Sequence, residues 1–123
     1  MSSNNLPDKS ELPFFAYGLF KPDQLAYWCI KDFVDENETD SKAWTEGVIL
    51  ERDGLPILKP GPEGSAPGVL LTFHEGCEEE AYSNIAALES KYQYRRETLP
   101  IEHSAGSITA NALAGKRPDR GSL

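Results

Sequence analysis

The chain has 123 residues, of which 12 are basic and 20 acidic, and carries a net charge of −8. This length predicts one domain, and a hydrophobic content of 39% is enough for one core without disulfide or metal staples. The excess of negative charge repels phosphate backbones and anionic lipid headgroups. We therefore expect neither nucleic acid nor a membrane surface as a partner.

The start of the sequence has no basic segment typical of a signal peptide, and its first apolar run, 14–20, is far below the roughly 18 residues of a membrane span. Cys29 and Cys77 form no C-x-x-C pair, which indicates reduced core thiols. We therefore expect a cytoplasmic protein. The polar residues 1–11 are predicted to be a flexible lead-in and 114–123 a flexible tail.

The single domain is predicted to span 12–113 and to open with an aromatic strand, 13–17, that runs into a turn at Gly18. A helix is expected to begin near Pro22, because proline suits the first helical position. An apolar stripe at helical spacing supports this helix: Leu25, Trp28, Cys29 and Phe33. The acidic segment 35–41 ends it in a loop.

The middle of the chain predicts a hairpin. Residues 43–52 and 55–58 are rich in β-branched and apolar side chains, and Asp53-Gly54 between them is a strong two-residue turn signal. The proline- and glycine-rich stretch 59–68 is predicted to be an extended loop, followed by a buried strand at 69–73.

A second helix is predicted from Glu78, because three consecutive carboxylates favour the positive end of a helix dipole. Glu89 is expected at or just past its C-terminal end. Two further strands, 92–101 and 108–113, complete the domain. This order lacks regular βαβ alternation and predicts an α+β fold with a small mixed, strongly curved sheet or barrel and two helices.

Several kinds of chemistry lack support in the sequence. His74 and His103 are the only histidines and stand in no metal-ligand pattern, so we expect no metal site and read both as partly exposed residues at strand ends. Ser65 does not match the G-x-S-x-G nucleophile turn, and no phosphate-binding or dinucleotide glycine pattern follows a predicted strand. We accordingly expect no cofactor.

Three short segments, in this order and spacing, resemble the gamma-glutamylcyclotransferase-like family, which includes AIG2-like and gamma-glutamylamine cyclotransferase-like proteins. They are the strand that ends in Tyr17-Gly18-Leu19-Phe20, the hairpin Gly47-Val48-Ile49-Leu50 with Gly54-Leu55-Pro56-Ile57-Leu58, and a late segment in which Glu89 stands five residues before Tyr94-Arg95-Arg96. The resemblance covers about residues 13–113 and implies the same small curved fold.

The resemblance also implies a reaction. The α-amine of a gamma-glutamyl compound attacks its own γ-carbonyl, which yields 5-oxoproline and releases an amine. Because the nucleophile is tethered to its target, positioning alone gives a large effective molarity without cofactor or covalent intermediate. The enzyme must then move a proton from the attacking amine to the leaving amine, which a carboxylate of raised pKa can do.

Glu89 is the candidate for that general acid/base, because it follows the apolar helix residues Ile85 and Leu88 and its carboxyl could enter a dry pocket. The alternative is an ordinary helix-end carboxylate paired with Lys91 or Arg95 in water. Substrate binding is predicted for the backbone N–H groups of the turn Tyr17, Gly18, Leu19 and Phe20, next to a helix start. Tyr94 and Arg96 either line the pocket or serve the strand structurally.

Two departures from the family pattern motivate a rival hypothesis. Leu19 stands where members usually carry a small hydroxyl residue, and Ala110-Asn111-Ala112-Leu113 lacks a tyrosine often found in the last strand. The rival is a catalytically silent domain of the same fold that binds a small metabolite or a protein. The expected partner is otherwise a small gamma-glutamyl substrate, and the chain is expected to be a monomer or weak dimer.

Overall fold

The computed structural model describes residues 12–18, 21, 24–52, 54–92 and 94–115, with the side chains at 25–26, 52, 88–92 and 115 left out of the description. Within these residues lie five strands: β1 Phe14–Ala16, β2 Asp40–Arg52, β3 Leu55–Leu71, β4 Tyr94–His103 and β5 Gly106–Gly115. The helices are α1, Glu78–Tyr92, and three short 3-10 helices, Leu25–Cys29, Lys31–Phe33 and Glu36–Glu38. The predicted lead-in 1–11 and nearly all of the predicted tail lie outside the described residues.

The five strands form a closed barrel in the order β1-β3-β2-β4-β5. The short strand β1 closes it, because Phe14 pairs antiparallel with Leu71 of β3 and parallel with Asn111 of β5. The remaining pairings are antiparallel, and β2 and β4 pair at Trp44 and Glu102, where the Thr45 hydroxyl also donates to the Pro100 carbonyl at 2.8 Å. The predicted mixed, strongly curved sheet is thus confirmed as a barrel.

The predicted hairpin is present, and the two predicted last strands form a second hairpin. The β2–β3 ladder runs to the pair Arg52 and Leu55, with Gly54 at a φ of 82° that favours glycine in the turn. The β4–β5 ladder runs to the pair His103 and Gly106. The last strand continues to residue 115, two residues beyond its predicted end.

The predicted loop at 59–68 was wrong, because β3 continues through it as one strand, Leu55–Leu71. The ladder with β2 shifts register between Gly47, opposite Pro60, and Glu46, opposite Ser65. Residues 61–64 are the extra ones, so the glycines and prolines form a bulge inside a strand. The glycines and prolines correctly indicated an irregular backbone in this stretch. They did not indicate that β3 pairs with β2 again after the bulge.

The first predicted α-helix was also wrong, and two 3-10 helices stand in its place. Tyr27 and Ile30 are buried, whereas Trp28, which the predicted stripe placed inside, is 72% exposed. After Phe33 the chain packs against the segment that follows β3. Val34 forms an antiparallel β-bridge with Phe73, and the His74 N–H donates a hydrogen bond to the Phe33 carbonyl at 2.7 Å. This tertiary pairing holds Val34 in an extended conformation and ends the helical segment at Phe33.

The second helix begins at Glu78 as predicted and ends at Tyr92. Glu89 therefore lies inside its last turn, three residues before the end, and not at or past the end. Ala81, Tyr82 and Ile85 are fully buried, which defines the inner face of the helix. Of the helices in the described part of the chain, none is long and apolar enough to cross a membrane.

Strand β1 divides the core into two parts, because successive side chains point to opposite faces of a strand. Phe14 packs in a cluster with Leu71, Tyr82 and Ile85, between the barrel and α1. Phe15 packs in the second cluster, whose other large members are Tyr17, Leu58, Leu70 and Ile101. Both phenylalanines are almost fully buried, and each burial contributes on the order of 2 kcal/mol.

Gly68 marks the tightest contact of β1 with β3. A Cβ atom at Gly68 would lie 2.6 Å from the Ala16 carbonyl oxygen and 2.7 Å from the Phe15 ring. Gly68→Ala should therefore lower the free energy of unfolding by about 1–3 kcal/mol, measured by urea denaturation. Gly61→Ala, in the same strand but with open space around it, is the matched control and should change stability by less than about 1 kcal/mol. Equal effects of the two substitutions would contradict the packing described.

Candidate functional site

A small cleft opens where β1 ends, with about 240 Å³ of empty space including its mouth. Its lining is mostly apolar and comes from β1, the following turn, the start of β4 and the end of β5: Phe14, Phe15, Ala16, Tyr17, Gly18, Tyr94 and Leu113. Three predicted substrate-binding residues, Tyr17, Gly18 and Tyr94, are thus brought to one place from positions 77 residues apart (94 − 17).

The Tyr17 hydroxyl joins two strands across the end of β1. It donates a hydrogen bond to the Leu113 carbonyl at 2.5 Å and accepts one from the Leu58 N–H at 3.0 Å. The ring itself is buried. The side chain of Tyr17 is therefore engaged within the protein, and the backbone of the turn after it is the part that remains a predicted substrate contact.

Gly18 is required by a close approach and not by an unusual φ. A Cβ atom at this position would lie 2.5 Å from Cγ of Pro56, so the turn packs directly on β3. The Gly18 carbonyl accepts a hydrogen bond from the Lys21 N–H at 2.9 Å, which closes the turn. Leu19 and Phe20, the other predicted members of this turn, lie outside the described residues.

Tyr94 is the first residue of β4 and is buried. Its hydroxyl donates to the Pro56 carbonyl at 2.8 Å. Pro56 thus supports the cleft twice, with its ring under Gly18 and its carbonyl bonded to Tyr94. Pro56 belongs to the hairpin motif that carries the family resemblance, but its contacts with Gly18 and Tyr94 were not predicted from the sequence.

Arg96 contacts the inner face of α1. Its guanidinium carbon lies 5.3 Å from the centroid of the Tyr82 ring, an arrangement suited to a cation–π contact. Tyr82 also packs edge to face on Phe14 and Phe73, and burial raises the pKa of its hydroxyl well above the ordinary value. Arg96 therefore brings a positive charge between the barrel and the helix.

Glu89 lies in the last turn of α1, with its side chain outside the described residues. Its backbone stands five positions before Tyr94, the first residue of β4. Five positions of chain can span about 18 Å at most. Glu89 also follows buried Ile85 by four residues, which is about one helical turn.

A second, more open and more polar cleft lies at the opposite end of the barrel, where β4 ends and β2 begins. Its main polar group is the Asp40 carboxylate, which accepts hydrogen bonds from the Lys42 N–H and the Ser104 N–H, both at 2.9 Å. The Ser104 hydroxyl and Nδ1 of His103 lie 3.2 and 3.3 Å from its oxygens. The two backbone donors are the main reason that the pKa of Asp40 falls from 3.8 to about 2.

Sequence analysis did not single out Asp40, because two of its partners, His103 and Ser104, lie more than sixty residues away. His103 is the last residue of β4, which confirms its predicted place at a strand end. Within the described part of the chain, no group of three or more His, Cys, Asp or Glu side chains is placed to hold a metal ion.

A closed mixed barrel with one α-helix packed on it is the fold of AIG2-like proteins, and the fold implied by the sequence resemblance is thereby confirmed. An AIG2-like protein from Mus musculus superposes with a TM-score of 0.58 at 14% identity, over 89% of this chain and 80% of the mouse chain. The Arabidopsis thaliana protein At5g39720.1 superposes with a TM-score of 0.65 at 22% identity, over 100% of this chain and 79% of its own.

An uncharacterised protein, PH0828, from Pyrococcus horikoshii gives a TM-score of 0.60 at 19% identity, over 89% of this chain and 81% of its own. At such identities the likeness shows the fold. No protein-family profile matches the sequence, and no significant match to a curated protein was found.

The hydrogen bonds around the cleft predict which tyrosine substitution lowers the stability of the protein more. Tyr17→Phe leaves a buried N–H and a buried carbonyl without their partner and should lower the free energy of unfolding by about 2 kcal/mol. Tyr94→Phe removes the hydrogen bond to the part-buried Pro56 carbonyl and should cost about 1 kcal/mol. Chemical denaturation measures both, and a Tyr17→Phe protein as stable as the wild type would contradict the bridge.

The Asp40 hydrogen bonds predict a contribution to acid stability. The folded state lowers the pKa of Asp40, so the stability it provides is present above pH 3.8 and is lost as the pH falls towards 2. Asp40→Asn should therefore lower the melting temperature near neutral pH. The difference in melting temperature between this variant and the wild type should become smaller as the pH falls from 3.8 towards 2. Asp32→Asn, at an exposed position, is the control, and its melting temperature should stay close to that of the wild type at every pH.

Proposed function

We propose that the chain is a cofactor-independent cyclotransferase that acts on a gamma-glutamyl, or similarly acylated, small amine. The observation that carries the proposal is the cleft at the end of β1, where Tyr17, Gly18 and Tyr94 meet and to which Glu89 is tied by a short connection. The likeness of the fold to AIG2-like proteins supports the same assignment. The substrate would bind with its glutamyl portion at the mouth of the cleft, which would have to widen to admit it.

In the proposed reaction, the substrate α-amine attacks its own γ-carbonyl and forms the new C–N bond of a five-membered lactam. The proton lost by the attacking amine passes to the carboxylate of Glu89. The bond from the γ-carbon to the departing nitrogen then breaks, and Glu89 returns the proton to that nitrogen. The products are 5-oxoproline and a free amine, and Glu89 is regenerated without consumption of water.

Glu89 suits this task through its position. It follows Ile85 on α1 by one turn, and Ile85 is fully buried. A carboxyl on the same helix face would meet apolar surroundings, which raise the pKa of a carboxyl group and let it both accept and donate a proton near neutral pH. Such general acid–base catalysis typically contributes on the order of 10²–10⁴-fold in rate.

The turn after β1 is the proposed oxyanion and carboxylate site. Its backbone N–H groups can donate hydrogen bonds whatever the side chain at position 19 is, so Leu19 in place of a small hydroxyl residue removes one donor of about 1 kcal/mol at most. The contact of Gly18 with Pro56 fixes the start of this turn against the barrel. Arg96, against the inner face of α1, adds positive charge that favours an anionic substrate.

A second candidate function is that of a catalytically silent binding domain, and the size of the cleft favours it. The space inside the cleft itself is about 10 Å³, room for about one water molecule and far below the roughly 300–1,000 Å³ of typical small-molecule sites. In addition, the Tyr17 hydroxyl is occupied by Leu113 and Leu58. A domain of this kind would bind a small metabolite or a protein without turnover.

The test is 5-oxoproline release from a panel of gamma-glutamyl amino acids and gamma-glutamyl amines. Wild-type protein should release 5-oxoproline from at least one member, and Glu89→Gln should reduce kcat by about 10²–10⁴-fold because the proton carrier is lost. Glu80→Gln, on the exposed side of the same helix, is the matched control and should retain wild-type activity.

Three outcomes separate the possibilities. Release that Glu89→Gln abolishes and Glu80→Gln preserves would support both the reaction and the role of Glu89. If the Glu89→Gln protein still releases 5-oxoproline, the proposed reaction is supported and the assignment of Glu89 as its acid/base is wrong. If folded wild-type protein releases no 5-oxoproline from any panel member, the result would favour the binding domain. Saturable binding of a panel member, measured by calorimetry, would then identify its ligand.

A further inference from the structure

Pro56 of β3 holds two residues of the cleft lining at once. Its ring packs against Gly18, since a Cβ atom added at Gly18 would lie 2.5 Å from Cγ of Pro56 and 3.2 Å from its Cβ. Its carbonyl accepts a hydrogen bond from the Tyr94 hydroxyl at 2.8 Å. Gly18 and Tyr94 both line the cleft and come from opposite ends of the domain. One residue of a third segment therefore connects them.

The direction of the backbone explains why Pro56 reaches both residues. The Leu58 N–H donates to the Tyr17 hydroxyl, and the Pro56 carbonyl accepts from Tyr94, so both positions turn main-chain polar groups away from β2. The N–H and C=O of one residue in an antiparallel ladder point to the same side. The nitrogen of Pro56 therefore faces the cleft side, and there it carries the ring that meets Gly18.

A proline at this position costs the ladder nothing, because an N–H at residue 56 would not point at β2. The ring also fixes φ of residue 56 near −65° and thereby restricts the backbone that carries the carbonyl. Gly18 has no side chain, and the proline ring cannot rotate away. The contact between them is therefore rigid on both sides, and a displacement of either residue is passed to the other.

We propose that Pro56 is a positioning residue of the candidate site, whose ring fixes the turn that begins at Gly18 and whose carbonyl fixes Tyr94 relative to that turn. This inference rests on the cyclotransferase reaction proposed above, in which Pro56 acts without touching the substrate. The backbone N–H groups of the turn are the proposed donors to the oxyanion, so their placement determines how well the transition state is stabilised. A misplacement of about 1 Å can cost on the order of 10²-fold in rate.

Pro56→Ala removes the ring and keeps the backbone carbonyl. The turn at Gly18 loses its support, and kcat for 5-oxoproline release should fall by roughly tenfold. The fall in kcat should exceed any rise in KM, because the oxyanion exists only in the transition state. The pH dependence of kcat should keep its wild-type shape, because the proton carrier is unchanged.

Gly18→Ala disturbs the same contact from the other side. Its Cβ would lie 2.5 Å from Cγ of Pro56, so the turn must move away from β3 and kcat should fall by at least about tenfold. In Gly18→Ala/Pro56→Ala that Cγ is absent, and the nearest atom of residue 56 is its Cβ, at 3.2 Å. The added methyl group then occupies the space that the ring leaves. The double variant should therefore have a higher kcat than either single variant.

Pro62→Ala is the matched control. Pro62 belongs to the same strand but is exposed in the bulge, and it does not line the cleft. Its replacement removes an identical ring and should leave kcat and KM at their wild-type values. All variants are assayed well below their melting temperatures, with folding verified by circular dichroism, so that a loss of stability does not lower the measured kcat.

Recovery of kcat in the double variant is the result expected, and a general loss of stability would not produce it. If Gly18→Ala does not fold, the comparison of the double variant with Pro56→Ala gives the same test. If the single losses multiply in the double variant, the two residues act separately and the positioning role is wrong.

The failure of this inference is distinguishable from the failure of the proposed reaction. If the wild type releases 5-oxoproline and Pro56→Ala matches its kcat and KM, the reaction stands and the role of Pro56 is overturned. If the wild type releases none from any panel member, the reaction itself is overturned, and the catalytic role of Pro56 with it.

Discussion

Strand β1 is the constraint on which the rest of the structure depends. It is three residues long, yet it pairs with β3 on one side and β5 on the other, and so closes the barrel. Phe14 fills the layer under α1 and Phe15 the barrel interior. Immediately after it, the Tyr17 hydroxyl bonds to both neighbouring strands. So short a strand holds its place because all its side chains are buried and both its edges are occupied.

The candidate site follows from the same arrangement. The chain leaves the barrel at Gly18, packs on Pro56, and meets Tyr94, whose hydroxyl bonds to the Pro56 carbonyl. The hydroxyl groups of Tyr17 and Tyr94 are thus both engaged in hydrogen bonds within the protein. A reaction whose nucleophile is part of the substrate makes modest demands on such a site. It requires a fixed turn, one proton carrier and exclusion of water.

Local signals predicted the elements that depend on local chemistry. The Asp53-Gly54 turn and the three carboxylates from Glu78 gave the hairpin and the start of α1, and both are present. The predictions failed where contacts between residues far apart in the sequence determine the local structure. Pairing of Val34 with Phe73 replaces a continuous helix by 3-10 turns, and pairing with β2 extends β3 through its prolines. The grouping of Tyr17, Gly18 and Tyr94 as candidate site residues came from the resemblance and not from local signals. The Asp40 cluster carries no signal of its own in the sequence.

The parallel pairing of β1 with β5 has a consequence for biosynthesis. The Tyr17 hydroxyl bonds to a carbonyl 96 residues further along the chain, and β1 has no partner on that side until β5 exists. During translation, β1, β2, β3 and α1 therefore emerge from the ribosome with the barrel still open and the apolar face of Phe15 uncovered. Contacts of such sequence separation form slowly, because a long loop must be ordered first. The nascent chain is thus most exposed to aggregation and to chaperones just before β5 appears.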